Sequence, residues 1–186
     1  EQFPDDEQAV RMRYWGGVVQ SGNQTFQEDN VWQTEPSFFE MFTFPLIRGN
    51  ATTALRDKQS VVLSRQAVDK YFADSDPMGR RIMIRETEFT VSGVAERLPE
   101  NSSITFDFLI PFQIPLTDWR NSGVYSFVQL RDPTRIPDLE QLIQTLIDEH
   151  APAGGVFTAQ KAILQPFTDI HLTPDIFFNF TDSADP

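Results

Sequence analysis

Between Ser60 and Ile110 the hydrophobic pattern changes period several times, and that alternation limits the chain to folds that mix strands with helices. Ser60-Val61-Val62-Leu63 is a short β-branched run of strand type. Ser64 follows as a helix cap, and Ala67, Val68, Tyr71 and Phe72 fall on one face of a helix predicted over Arg65–Phe72. Arg81–Arg85 and Glu88–Ala95 then read as a hairpin across Glu86-Thr87. Ile82 and Ile84 share one face of its first arm, and Phe89, Val91 and Val94 point inward from the second. Ile104, Phe106, Phe108 and Ile110 alternate along a further strand. A pattern of period 3.6 does not settle into a strand, nor one of period two into a helix, so the expected fold class is α+β.

The flanking segments extend this reading. Arg11–Thr34 predicts two strands, the first ending at Val18-Val19, with Ser21-Gly22-Asn23 as the turn and Phe26–Trp32 in the second. Pro36–Phe42 predicts a short, buried helical turn. Val124–Leu130 is a strand broken by Asp132-Pro133. A helix over Pro137–Glu149 follows, with Leu139, Leu142, Ile143, Leu146 and Ile147 in one apolar stripe. Ala151–Gly155 ends it, and Ala162–Phe167 is expected to form another strand. The tail after Thr173 is expected to be loosely held.

Composition excludes several classes of partner. The formal net charge of −12 repels polyanions, so no nucleic-acid partner is expected, nor charge-driven binding to an anionic lipid surface. Among the 17 phenylalanines are tight groups, Phe38, Phe39, Phe42 and Phe44 above all, which read as core filling. The chain has no cysteine, so disulfides and thiol chemistry are absent. No apolar run approaches the roughly 20 residues that cross a bilayer. The opening Glu1-Gln2-Phe3-Pro4-Asp5-Asp6-Glu7 has neither the basic nor the apolar stretch of a secretion signal.

Patterns that carry chemistry fail one by one. Asp74-Ser75-Asp76-Pro77-Met78-Gly79 opens like a calcium loop, but Met78 stands at its fifth position and Arg85 at its twelfth, where a bidentate Glu belongs. It reads as a turn. Asp169 and His171 share a strand face without a third ligand, and His150 suits a helix end. Val91-Ser92-Gly93 lacks the leading Gly of a nucleophile elbow, and no phosphate loop with its Gly-Lys pair occurs. Glu86 and Glu88 mimic a glycosidase pair but fall on a hairpin, where a solvated strand face is the plainer reading. Trp15, Trp32 and Trp119 are scattered as core residues are. No catalytic, cofactor-binding or metal-binding residue is nominated, no cofactor is expected, and the chain is expected not to be an enzyme.

Function enters through a resemblance. Phe38-Phe39-Glu40-Met41-Phe42-Thr43-Phe44-Pro45-Leu46-Ile47-Arg48-Gly49-Asn50, the Ser60–Ser64 run, Tyr71–Arg80 with its Asp76-Pro77-Met78-Gly79 turn, Val91–Val94, Leu98-Pro99-Glu100-Asn101-Ser102 and Phe106–Ile110 occur in series. Val124–Leu130 and Leu164-Gln165-Pro166-Phe167-Thr168-Asp169-Ile170-His171-Leu172 follow. In this order they resemble the MacB-like periplasmic core domain of MacB/FtsX-type ABC transporter permeases of the Bacteroidetes type, over about residues 30 to 172. Where the family often has a His after the Leu-Pro-Glu-Asn-Ser string, this chain has Ser103.

The resemblance implies a single extracytoplasmic core domain over residues 1–186, in two lobes. These would be an inserted, mostly β lobe at about 14–118 and a porter-like α/β lobe at about 1–13 and 119–186, with its opening strand and helix incomplete. It implies a place on the periplasmic side of the cell inner membrane. The domain would couple cytoplasmic ATP hydrolysis mechanically to the export or handling of a peptide, antibiotic or lipoprotein. Implied partners are a cytoplasmic ABC ATPase, a second permease protomer and a periplasmic adaptor. Two rival readings stand beside it: a periplasmic ligand-binding sensor ectodomain, which needs a concave pocket, and a periplasmic hydrolase, which needs facing carboxylates.

Overall fold

Ser60 to Ser64 is the central strand of the sheet, and every one of its residues is buried. The computed structural model describes residues 8–73, 75–97, 102–113, 123–150 and 161–172, with the side chains of 170–172 left aside. The chain divides into two compact units, one of Gln8–Gln113 with Val124–Val128, the other of Glu1–Glu7, Ile114–Gly123 and Gln129–Pro186.

The first unit is organised by one mixed sheet. In chain order its strands are β1 (Gln8–Tyr14), β2 (Gly17–Ser21), β3 (Gln24–Glu28), β4 (Val31–Thr34), β5 (Leu46–Arg48), β6 (Ser60–Ser64), β7 (Arg81–Ile84), β8 (Thr87–Ala95), β9 (Phe108–Pro111) and β10 (Val124–Gln129). Across the sheet they run β10-β1-β4-β9-β6-β8-β7-β2-β3, with β5 attached to β8 alone. β4 with β9 and β6 with β8 are parallel, whereas β6 with β9 and β7 with β8 are antiparallel. Two helices accompany the sheet, α1 (Phe38–Met41) and α2 (Arg65–Tyr71). Few helices on a mixed sheet make this an α+β fold, as the periodicity predicts.

Each face of the sheet has its own packing. Val31, Val61, Leu63, Ile82, Ile84, Phe89, Val91, Phe108 and Ile110 form one core with Ala67, Val68 and Tyr71 of α2. The Ser64 side chain accepts a hydrogen bond from the Ala67 N–H at 3.1 Å and donates to Asp107 Oδ1 at 2.7 Å, which fixes where α2 leaves β6. Strand alternation turns Trp32 to the opposite face, where it meets Tyr14 and Tyr125 edge-on with ring centroids at 5.7 and 6.1 Å. On that side the phenylalanine group packs as expected. Phe38 lies within 5.2, 5.1, 5.6 and 5.9 Å of Phe39, Phe42, Phe44 and Phe106.

Three expectations need correction. Arg11–Thr34 holds four strands instead of two, because the chain breaks at Trp15-Gly16 and again after Glu28. The strand foreseen from Ile104 begins only at Phe108. Ile104 and Phe106 are buried, but outside the ladder. The hairpin turn lies at Arg85-Glu86, one residue earlier than the pattern suggests, so Thr87 pairs with Ile84.

The second unit is centred on α3 (Ile136–His150). Asp132 caps the single 3-10 turn before it, accepting from Thr134 N–H at 2.9 Å and Oγ1 at 2.7 Å. Those bonds hold its carboxyl below the usual range. Among the described residues, 161–166 join no sheet, contrary to the expectation for Ala162–Phe167, and Phe167–Leu172 is a 3-10 turn. The backbone there instead bonds to side chains of α3, Ala162 N–H to Gln144 Oε1 at 2.8 Å and Leu164 N–H to Glu140 Oε1 at 2.7 Å. The tail after Thr173 lies outside the described residues.

Candidate functional site

The groups with reactive potential have structural partners. Ser92 Oγ donates to the carbonyls of Ala54 at 2.6 Å and Val61 at 3.1 Å, so it ties β8 to its neighbours and faces no base. Glu88 pairs with Arg81 at 3.2 Å on the exposed surface, and Glu86 occupies the hairpin turn at φ +68°. Asp76 accepts the Met78 N–H at 3.1 Å on one oxygen and Arg48 at 3.1 Å on the other, and both bonds keep its carboxyl below the ordinary range. This is the turn that the calcium-like string makes; its first residue, Asp74, lies outside the described residues. His150 stands at the C-terminal end of α3 with Nδ1 3.1 Å from the Leu146 carbonyl. Trp15 packs edge-on against Phe89. Trp119 and the His171 side chain are outside the described residues.

One buried charge stands out. Glu28 at the end of β3 is 8% exposed, and its Oε1 accepts from Lys70 Nζ at 2.6 Å and Tyr71 Oη at 2.5 Å. Burial and then the bond to Glu28 push the Tyr71 phenol far above the usual tyrosine range. Lys70 Nζ also sits 4.4 Å from the Phe26 ring centre. The group clips the β2–β3 hairpin to α2.

A concave feature lies beside α2 and β5. A cleft of about 540 Å³ is lined by Ile47 and Arg48 of β5, Arg65 and Val68 of α2, Val94 of β8, and Ala73, Ser75, Asp76 and Pro77 of the intervening loop. Its apolar lining includes Val68 and Val94, 5% and 2% exposed. Two guanidiniums stand among its walls. Arg48 reaches Asp76 at 3.1 Å, and Arg65 reaches Asp69 at 3.1 Å, while both arginine side chains remain about half exposed. Arg97 joins Asp69 at 3.7 Å. Ala73, in the left-handed region at φ +47°, ends α2 and sets the loop's direction. Gly49 lets β5 approach β8, since a Cβ there would lie 2.6 Å from the Ser92 carbonyl oxygen. Among the described residues the lining holds no nucleophile paired with a base. They offer hydrogen-bond donors, one carboxylate and an apolar surface, which suits binding. No sequence motif marks this cleft, because its residues come from four separate stretches of chain. The Asp-Pro-Met-Gly turn is the one part of it with a visible signal.

Comparison with known proteins gives these features a setting. Residues 1–146 match the sequence pattern of the MacB-like periplasmic core domain. A 54-residue stretch is 43% identical to the macrolide export ATP-binding/permease protein MacB of Neisseria gonorrhoeae, and spans 29% of this chain and 8% of that protein. Among solved structures, a domain ascribed to a permease protein of Porphyromonas gingivalis superposes with a TM-score of 0.67 at 27% identity, covering 81% of this chain and 67% of that one. The periplasmic region of MacB from Actinobacillus actinomycetemcomitans shares the fold, with a TM-score of 0.60 at 18% identity over 77% of this chain and 69% of its own. With the family pattern running through most of its length and the same fold in the solved relatives, the chain belongs to the MacB-like periplasmic core domain family.

Proposed function

We propose that this chain is the extracytoplasmic domain of an ABC transporter permease, held on the periplasmic side of the inner membrane. In this reading it breaks no bond. It passes motion driven by cytoplasmic ATP hydrolysis to a substrate already outside the membrane. The observation that carries the reading is the family match over residues 1–146. The α+β sheet shared with permease and MacB domains supports it. Among the described residues no helix is long and apolar enough to cross a membrane, so membrane attachment would come from other parts of a longer protein. The partners proposed are a cytoplasmic ABC ATPase, a second permease protomer, and a periplasmic adaptor, with a peptide, antibiotic or lipoprotein as substrate.

The test is to read the gene on both sides of this segment together with its neighbours. Apolar stretches of about 20 residues on both flanks, with an ATPase carrying a phosphate loop encoded in the same or an adjacent gene, are the expected result. A secretion signal joined directly to Glu1 and a stop codon after Pro186 would overturn the reading. It would bring forward the sensor-ectodomain alternative, which the cleft between α2 and β5 favours over a hydrolase.

A further inference from the structure

The geometry points to the cleft between α2 and β5 as a binding site for the C-terminus of an extended peptide, which adds as a strand to the open edge of β5 and sets its carboxylate between Arg48 and Arg65. The inference goes beyond the transporter reading and stands or falls without it.

Three observations meet there. The first is a sheet edge. β5 pairs with β8 on one side, and among the described residues no strand pairs with it on the other. Unpaired backbone groups along such an edge are a template for an added strand. Ile47, in the middle of β5, is 43% exposed. The second is a groove next to that strand, walled by a helix. Its volume of about 540 Å³ falls within the range of ligand sites, and Val68, Val94 and Pro77 offer an apolar lining for one terminal side chain.

The third is charge. The chain as a whole carries −12, yet among the described residues the cleft is lined by two arginines and one aspartate. A guanidinium presents five N–H donors in a fixed fork. Arg65 engages Asp69 through Nε, and Arg48 engages Asp76 through one Nη, so each has donors left for a second carboxylate. A fork of this kind matches a carboxylate in two-bond geometry, which a neutral or cationic terminus cannot exploit. A cleft without a strand edge would suit any small anion. The edge beside it selects an anion attached to an extended backbone.

The experiment measures fluorescence anisotropy of the 186-residue chain with fluorescein-labelled hexapeptides of alternating threonine and valine, ending in alanine, valine, leucine or phenylalanine. Each is made as the free acid, as the C-terminal amide, and as the acid with N-methyl groups on the two residues before the last. At least one free acid should bind with a Kd below about 100 μM, and its amide and N-methylated forms at least about tenfold more weakly. Arg48→Gln and Arg65→Gln should each weaken the acid by about tenfold, while Arg81→Gln, outside the cleft, leaves it unchanged. Circular dichroism of each variant checks that it is folded. The proposal is overturned if no acid binds below 1 mM, if acid and amide bind within twofold, or if the N-methylated peptide binds as well as its parent. Inorganic phosphate at 10 mM that abolishes the difference between parent and N-methylated peptide would likewise overturn it, in favour of a simple anion site.

Discussion

Arg85 and Glu86 turn β7 into β8 with both residues left-handed, at φ +47° and +68°. A two-residue hairpin turn of this kind favours Asn-Gly, because side chains crowd the backbone there. Arg85 has compensation. Its N–H donates to the Val18 carbonyl at 2.9 Å, its guanidinium lies 5.5 Å from the Trp15 ring centre, and its Cγ would be 2.5 Å from any Cβ at position 17, where the chain has Gly. Glu86 makes no such contact in the described structure. Glu86→Gly should therefore raise stability by about 0.5–1 kcal/mol, read by urea denaturation. A loss of stability would mean that the Glu86 side chain is held. The sequence pattern places this turn one residue late because its cue is strand alternation. The contact that sets the register, Arg85 on Trp15, joins residues far apart in the chain.

At the scale of elements, α3 was legible to within one residue at each end, and its apolar stripe was read correctly as a stripe. Depth along the stripe was not. Leu139 is 4% exposed, whereas Leu142, Ile143, Leu146 and Ile147 are only partly buried. Leu139→Ala should cost about 2–5 kcal/mol and Leu142→Ala less than half of that, measured as shifts in denaturation free energy. Equal losses would contradict the burial order. The stretch Ala162–Phe167 shows the converse failure. Its residues suit a strand, but a strand exists only when a neighbour completes its hydrogen bonds, and here Glu140 and Gln144 of α3 take those N–H groups. α2 was the clearest success, since Ser64 both closes a β-branched run and caps the helix. Those signals are local.

Across the whole molecule the charge is unevenly divided. The unit containing α3, counted over Glu1–Glu7, Ile114–Gly123 and Gln129–Pro186, holds 14 acidic and 4 basic residues, which accounts for −10 of the chain's −12. The unit containing the sheet is close to neutral, and its ion pairs are mostly exposed ones that contribute little each. Self-repulsion should then outweigh pair attraction, and salt screens the repulsion over distances of about 10 Å at 0.1 M. Raising NaCl from 20 to 500 mM should raise the thermal midpoint by a few degrees. A fall would show that the ion pairs dominate.

The sequence by itself determined the α+β class, the positions of α2 and α3, the β6 strand, the aromatic core around Phe38, and the family. All of these rest on local period, composition or ordered motifs, which survive without knowledge of neighbours. Only the tertiary structure decided the strand order, the four strands where two were expected, the bonding of residues 161–166 to α3 side chains, and the cleft that gathers Arg48, Arg65, Asp76 and Val94. Those depend on which distant segments meet. Backbone hydrogen bonding and burial settle that jointly, and no window of sequence contains both partners.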